Sequence, residues 1–330
     1  MVSRPRIRRL PQWWLAGLLL LLWGCRAGPG TLPATPEVLP EDNRPTATST
    51  PQQHPGEPMP DATLTPSPSP SPTPSPSPTP IPDITLAFTG NIVPARCVQA
   101  AVDERGGDPA YLYARVAPLL QQADLAIGGG LAATLSDYPP PTGCRSTFVL
   151  VGRANHALAL ARAGLDVMAV ATNHIKDCGL LDCGDRAFLD TLANLRAAGI
   201  QPVGAGANLE EALEPVIVDL KGVRFAFISH GELRPRNFAG PNTPGTAPLT
   251  EENVWESIRR ARAAGAQVIV ALPHWGPEYE FVPTYPQRNW ARILVQAGAD
   301  LVVGNHPHVV QGMEVLQGVP VFYSLGSFLF

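Results

Sequence analysis

Gln296-Ala297-Gly298-Ala299-Asp300-Leu301-Val302-Val303-Gly304-Asn305-His306-Pro307-His308 holds a helix end, a short apolar strand and a polar loop in succession. A Gly just past the last helical residue is the left-handed C-cap, after which the chain is free to enter a strand within a residue or two. The same punctuation recurs at Arg162-Ala163-Gly164, Ala197-Ala198-Gly199 and Ala263-Ala264-Gly265. Two helices carry the matching period: Phe188, Leu189, Leu192 and Leu195 share one face, as do Trp290, Ile293, Leu294 and Ala297. Apolar runs of strand length span 84–88, 125–127, 167–171, 225–228, 268–272, 301–303 and 319–323. Helices alternating with buried strands predict a layered α/β domain.

The loops after those runs are rich in Gly, Asn and His: Thr89-Gly90-Asn91, Gly128-Gly129-Gly130, Thr172-Asn173-His174, Ser229-His230-Gly231, His274-Trp275-Gly276, Gly304 to His308, and Ser324-Leu325-Gly326-Ser327. Ligands of α/β sheets bind at the carboxyl ends of strands, where such loops converge. A single His after a strand is usually a surface or capping residue, so His156 and His230 are left aside. His306 and His308 differ, because alternate residues of an extended segment point the same way and both rings then face one point. With Asn173, His174 and His274 they predict a polar cluster that binds a ligand.

Only part of the chain is expected to fold. Of the 38 Pro among 330 residues, 18 fall between Arg26 and Pro82, in runs such as Ser67-Pro68-Ser69-Pro70, where little apolar surface offsets the entropy of ordering. Residues 26–82 therefore read as a disordered Pro/Ser/Thr-rich tether and 83–330 as one domain. At roughly 3.1 Å per residue the extended tether reaches well over 100 Å.

Before it, Arg4, Arg6, Arg8 and Arg9 precede an apolar run from Trp13 to Trp23, the layout of an export signal over residues 1–25. The run falls short of the roughly 20 apolar residues that span a bilayer. Leu22-Trp23-Gly24-Cys25 resembles a lipobox, with Trp23 atypical, which makes Cys25 a lipidation site on the outer face of the membrane. A plain secretory signal with an incidental Cys25, or an uncleaved anchor, is the alternative.

Net charge is −4 with no dense basic run in the folded part, so a nucleic-acid partner is not expected. Outside the cytoplasm, Cys97, Cys144, Cys178 and Cys183 are expected to be oxidised rather than to hold zinc. Three pairings are open; the shared loop favours Cys178 with Cys183, leaving Cys97 with Cys144.

At several of these loops the sequence resembles the CapA, or poly-gamma-glutamate capsule synthesis, family, whose fold is similar to calcineurin-type metallophosphatases. Leu86 to Val93 with Arg96 resembles the family's F-x-G-D-I-M-x-x-R. Gly164 to Val167, then Ala171-Thr172-Asn173-His174 with Asp177 and Gly179, resembles G-F-D-V-x-x-x-A-N-N-H-x-x-D-x-G. His274-Trp275-Gly276 with Glu278-Tyr279 resembles H-W-G-x-E-Y. Gln287-Arg288, Ala297 to Gly312 and Tyr323 to Gly326 form the most specific block.

The resemblance implies a layered α/β/β/α sandwich in which His274, His306 and His308 are nitrogen ligands of a divalent ion and Asn173 an oxygen ligand. His174 becomes a proton donor or phosphate contact, and Asp177 orients it or acts as a base. Glu278 and Glu280 are either further carboxylates of the site or a solvated loop. Asn91, placed among the metal positions, stands where the family has Asp; Gly129-Gly130-Leu131-Ala132 replaces its acidic N-L-E loop, and Ser327 replaces an Asn.

Neutral imidazoles and amides cannot offset two close dications, so one ion, or none, is expected. The resemblance thus implies a lipid-anchored envelope protein that works with an anionic surface polymer or the capsule synthesis machinery through a weakened metal site. An active metal-dependent phosphoesterase or polymer hydrolase is the alternative, as is a non-catalytic polymer-binding module. The chain stops inside the apolar run Val321 to Phe330 where family members run on, which implies a truncated carboxyl terminus.

Overall fold

Two β-sheets pack face to face in the computed structural model, which describes residues 83–145, 148–178 and 183–330. The expected export signal over residues 1–25, with Cys25, and the expected tether over 26–82 lie outside the described residues. One sheet is parallel throughout, in the order Leu86–Phe88, Leu125–Gly128, Val167–Ala169, Gln201–Val203. The other runs Val216–Leu220, Val223–Gly231, Val268–His274, Leu301–Val303, Val319–Phe322, Met313–Leu316; its four inner strands are parallel and both edge strands antiparallel.

Strand side chains alternate between faces, and the sequence uses the alternation to fill three cores. Ile127, Val167 and Val203 meet Phe227, Val270, Leu272 and Val303 between the sheets. Their neighbours Ala126 and Met168 face outward onto Leu160 of helix Asn155–Arg162 and onto Phe188, Leu192 and Leu195 of helix Arg186–Ala197. On the far side Ile228, Ile269, Ala271 and Val302 pack on Val254 and Ile258 of helix Glu251–Ala263 and on Ala291 and Leu294 of helix Tyr285–Ala297. At about 1.5–3 kcal/mol for each large side chain removed from water, these three layers of contact supply the main driving force for folding. The order of layers is α/β/β/α.

The punctuating glycines behave as the sequence leads one to expect: Gly164, Gly199, Gly265 and Gly298 have φ of 104°, 91°, 82° and 114°. Three strands, Gln201–Val203, Val216–Leu220 and Met313–Leu316, escape a search for buried apolar runs. All three are sheet edges. An edge strand needs only one paired side, so Gln201–Val203 tolerates Pro202 and Met313–Leu316 leaves Met313 and Val315 exposed.

Because the inner strands are parallel, their carboxyl ends open on one side of the sandwich. There a small parallel sheet, Ser327–Leu329 beside Asn91–Ile92 beside Gly130–Leu131, fixes Asn91 at its centre.

Candidate functional site

His274 ends its strand with the ring buried, and Trp275 behind it is anchored by an indole N–H donated to the Tyr323 carbonyl at 2.9 Å. His274 Nε2 lies 3.0 Å from Asn173 Oδ1 and 3.2 Å from His306 Nδ1. The His274 and His306 rings meet edge to face at 4.7 Å, and those of His306 and His308 at 6.1 Å. Residues 173, 274, 306 and 308 are thus brought together from distant parts of the chain.

His306 and His308 do not converge by alternation along an extended segment. Their segment is not extended: both have positive φ, 106° and 62°, so the chain turns through the left-handed region on either side of Pro307. This conformation is unfavourable for residues with a Cβ and is held here by packing at the site. His308 Nδ1 lies 2.9 Å from Ser327 Oγ, and its ring is flanked by Tyr279 and Phe330. The support comes from helix Tyr285–Ala297, where Thr284 and Gln287 form a capping box and Gln287 donates to Gln311 at 2.9 Å just after the loop.

The other half of the cleft is polar but unpartnered. Asn91 is fully buried, and neither its Oδ1 nor its Nδ2 has a hydrogen-bond partner; the same holds for His274 Nδ1. Gly130, opposite Asn91 in the small sheet, explains the space between them. A Cβ on Gly130 would point 3.2 Å from Asn91 Oδ1 and 3.3 Å from His274 Nδ1, whereas one on Gly129 would strike the Thr89 carbonyl and Asn305. Position 130 is therefore where a side chain of this loop enters the cleft, a point the sequence left undivided among its run of glycines.

His174 sits on the rim, its Nδ1 2.7 Å from Asp177 Oδ2. Asp177 is buried and receives Arg236 Nη2 at 2.7 Å, with Arg234 Nη1 at 3.5 Å. Burial pushes its carboxyl up, but the His174 hydrogen bond, the charges of His174 and Arg234, and the Arg236 hydrogen bond together hold it below the usual range. Asn237 on the same loop donates to the Asn173 carbonyl at 2.8 Å, which ties Asn173 and His174 in place. Phe148 stacks on His174 with centroids 6.2 Å apart. Arg234, Arg236, Phe148 and Gly130 were not singled out from the sequence, although Arg234-Pro235-Arg236 repeats the spacing of His306-Pro307-His308.

Cys178 is bonded to Cys183 directly after Asp177, and Cys97 to Cys144. Glu278 and Glu280 are exposed in their loop. His156 and His230 serve the scaffold: His156 Nε2 meets Gln99 Oε1 at 3.0 Å and His230 Nε2 meets Ser257 Oγ at 3.2 Å. Burial lowers both rings to about 4. Burial, then the neighbouring imidazoles, drives His274 well down and His306 to about 3, so both are neutral donors at neutral pH.

These donors fit one ion better than two. Ligands each about 2.1 Å from a shared ion are about 3.0–3.4 Å apart, the range in which Asn173 Oδ1 and His306 Nδ1 each lie from His274 Nε2. On the Asn91 side neither a carboxylate nor any side chain from position 130 is present, and a second ion does not fit. Among the described residues no group of three or more His, Cys, Asp or Glu side chains is arranged to hold a metal.

A family model described as bacterial capsule synthesis protein PGA_cap matches residues 85–330. The chain belongs to the PGA_cap family. It is 29% identical over 256 residues to the PGA biosynthesis protein CapA of Bacillus subtilis (strain 168), covering 75% of this chain and 63% of that protein. To the capsule biosynthesis protein CapA of Bacillus anthracis it is 29% identical over 252 residues, 75% and 60% of the two chains. This PGA_cap chain thus spans about three fifths of the length of these curated relatives. It is also similar to the calcineurin-like phosphoesterase YfkN from Bacillus subtilis, with a TM-score of 0.43 at 18% identity over 69% of this chain and 72% of that one. No helix among the described residues is long and apolar enough to cross a membrane.

Proposed function

We propose that this PGA_cap protein serves the synthesis or attachment of an anionic surface polymer of the capsule or poly-γ-glutamate type, through a cleft that keeps half of a metal centre. The observation that carries the reading is the meeting of Asn173 and His306 at His274 Nε2 beside the uncharged Asn91 and Gly130. Those three residues would hold one divalent ion, which when bound polarises a phosphoryl or acyl oxygen. His174, fixed through Nδ1 by Asp177, keeps Nε2 as the atom at which a proton is given or taken. His308 and Ser327 line the opposite lip and orient the substrate chain. Export by residues 1–25 and acylation at Cys25 place the domain outside the membrane, on the 26–82 tether, where the capsule synthesis machinery is its partner.

The His174 and Asp177 contact favours a second reading, a working metal-dependent hydrolase of phosphoesters or polymer amides. Both are separated by measuring ion content, polymer binding and turnover of a phosphoester and an oligo-γ-glutamate on the purified chain. The first reading expects polymer binding, one bound ion and no hydrolysis of either probe. Ion-dependent hydrolysis that disappears in His306→Ala would replace it with the hydrolase; polymer binding by a wild-type chain that takes up no ion at all, without hydrolysis, would reduce the protein to a polymer-binding module.

A further inference from the structure

The loop Glu232 to Asn237 brings two guanidinium groups to one buried carboxylate. Asp177 has no exposed side-chain surface, takes Arg236 on one oxygen and His174 and Arg234 on the other, and so balances only one of the two arginine charges. Glu232, the other carboxylate of this loop, is turned aside to the Gly276 amide at 2.9 Å. One positive charge is left over beside His174.

Its placement suits a ligand rather than a fold contact. Arg236 keeps 65% of its side chain exposed while one Nη is fixed on Asp177, so its remaining N–H groups face outward from a held position. Arg234 lies over the Phe148 ring, 5.0 Å from its centroid, and Phe148, itself more than half exposed, continues the stack onto His174. Arg234 adopts this pose with left-handed backbone, φ 61°, a strained choice for a residue with a Cβ. A guanidinium fork held by stacking and by one carboxylate is pre-organised to receive a second carboxylate or a phosphate bidentately.

We propose that Arg234 and Arg236, seated on Phe148 and Asp177, form an oxyanion subsite next to His174 that grips an anionic group of the substrate without a metal ion. The inference rests on the anionic-polymer reading above for the identity of the chain but not for the subsite. It assigns the grip on the substrate to arginine, in a cleft whose own metal positions have lost their carboxylates.

The test measures binding of a fluorescent oligo-γ-glutamate to the full chain in the presence of chelator, with inorganic phosphate as a second probe. Wild type is expected to bind the oligomer in a salt-dependent way, and Arg236→Gln and Arg234→Gln each to weaken binding about tenfold or more, as loss of a charged hydrogen bond does. Arg236→Lys, which keeps the charge and an ion pair to Asp177, is expected to recover only part of the affinity and serves as the deciding variant if Arg236→Gln does not fold. Equal affinity in wild type and in both arginine variants overturns the subsite and leaves the polymer reading standing. Phosphate binding that depends on Arg236 with no oligomer binding keeps the subsite and overturns the polymer reading. If neither probe binds wild type, the subsite is wrong.

Discussion

The two lips of the cleft both carry buried amide and imidazole groups, yet only one of them pairs them. On the Asn173 side every polar group named has a partner: Asn173 with His274, His274 with His306, His174 with Asp177, and Asp177 with Arg236. On the Asn91 side both amide atoms and His274 Nδ1 are buried without one. An unpartnered buried polar group costs about 1–3 kcal/mol, so the second lip is the side on which a bound ligand would have most to satisfy. On the reading proposed above, the unpartnered lip is the half of the metal centre that lacks carboxylates at positions 91 and 130, while the loops that frame it keep their fold.

Converting the poor lip toward the rich one should give the largest effect. Asn91→Asp places a carboxylate in a buried, partnerless position, and in chelator the folded state should lose about 3 kcal/mol, read as a shift in the urea midpoint. Added zinc should return most of it, since a ligand bound only by the native state stabilises it. Unchanged stability with and without zinc would mean that Asn91 does not face the cleft.

A smaller effect is expected from loosening the rich lip. Removing the Cys178 to Cys183 link with a double Ser substitution frees a short loop beside Asp177 and should cost roughly 2 kcal/mol, together with weaker ion binding at Asn173, His274 and His306. A melting curve and ion affinity both equal to wild type would show that the link does not brace this lip.

Acid loads scaffold and site alike, since the buried rings of His274 and His306 are lowered together with those of the scaffold. Burial holds His156 and His230 at about 4 in the folded protein, while an unfolded chain titrates near 6.5. Between those values the unfolded state binds more protons, so stability should fall as pH drops through 6.5 and level off below about 4, by about 3 kcal/mol for each ring. His156→Gln should flatten part of the slope. A urea midpoint independent of pH across that window would contradict the buried neutral rings.

Much of this was legible in the sequence because it depends on period and punctuation. Gly164, Gly199, Gly265 and Gly298 announce the helix-to-strand junctions, and the polar ends of the inner strands announce the cleft. What escaped depends on three-dimensional pairing. Three of the four edge strands, unlike Leu86–Phe88, interrupt their apolar run, with Pro202, Asp219 or Glu314. The turn at His306 and His308 comes from backbone strain that an alternation rule does not see. Gly130 could be told from Gly129 only by where a missing Cβ would point, and Arg234 with Arg236 only by their meeting at Asp177. The alternating His-Pro-His drew notice because imidazoles suggest chemistry; the equivalent Arg-Pro-Arg did not.

The central claim, that this cleft is half a metal centre, is tested most directly by counting ions. After loading with excess zinc and desalting, elemental analysis should find no more than one ion per wild-type chain, and the combined Asn91→Asp and Gly130→Glu variant should take up a second. Two ions bound by the wild-type chain would contradict the account.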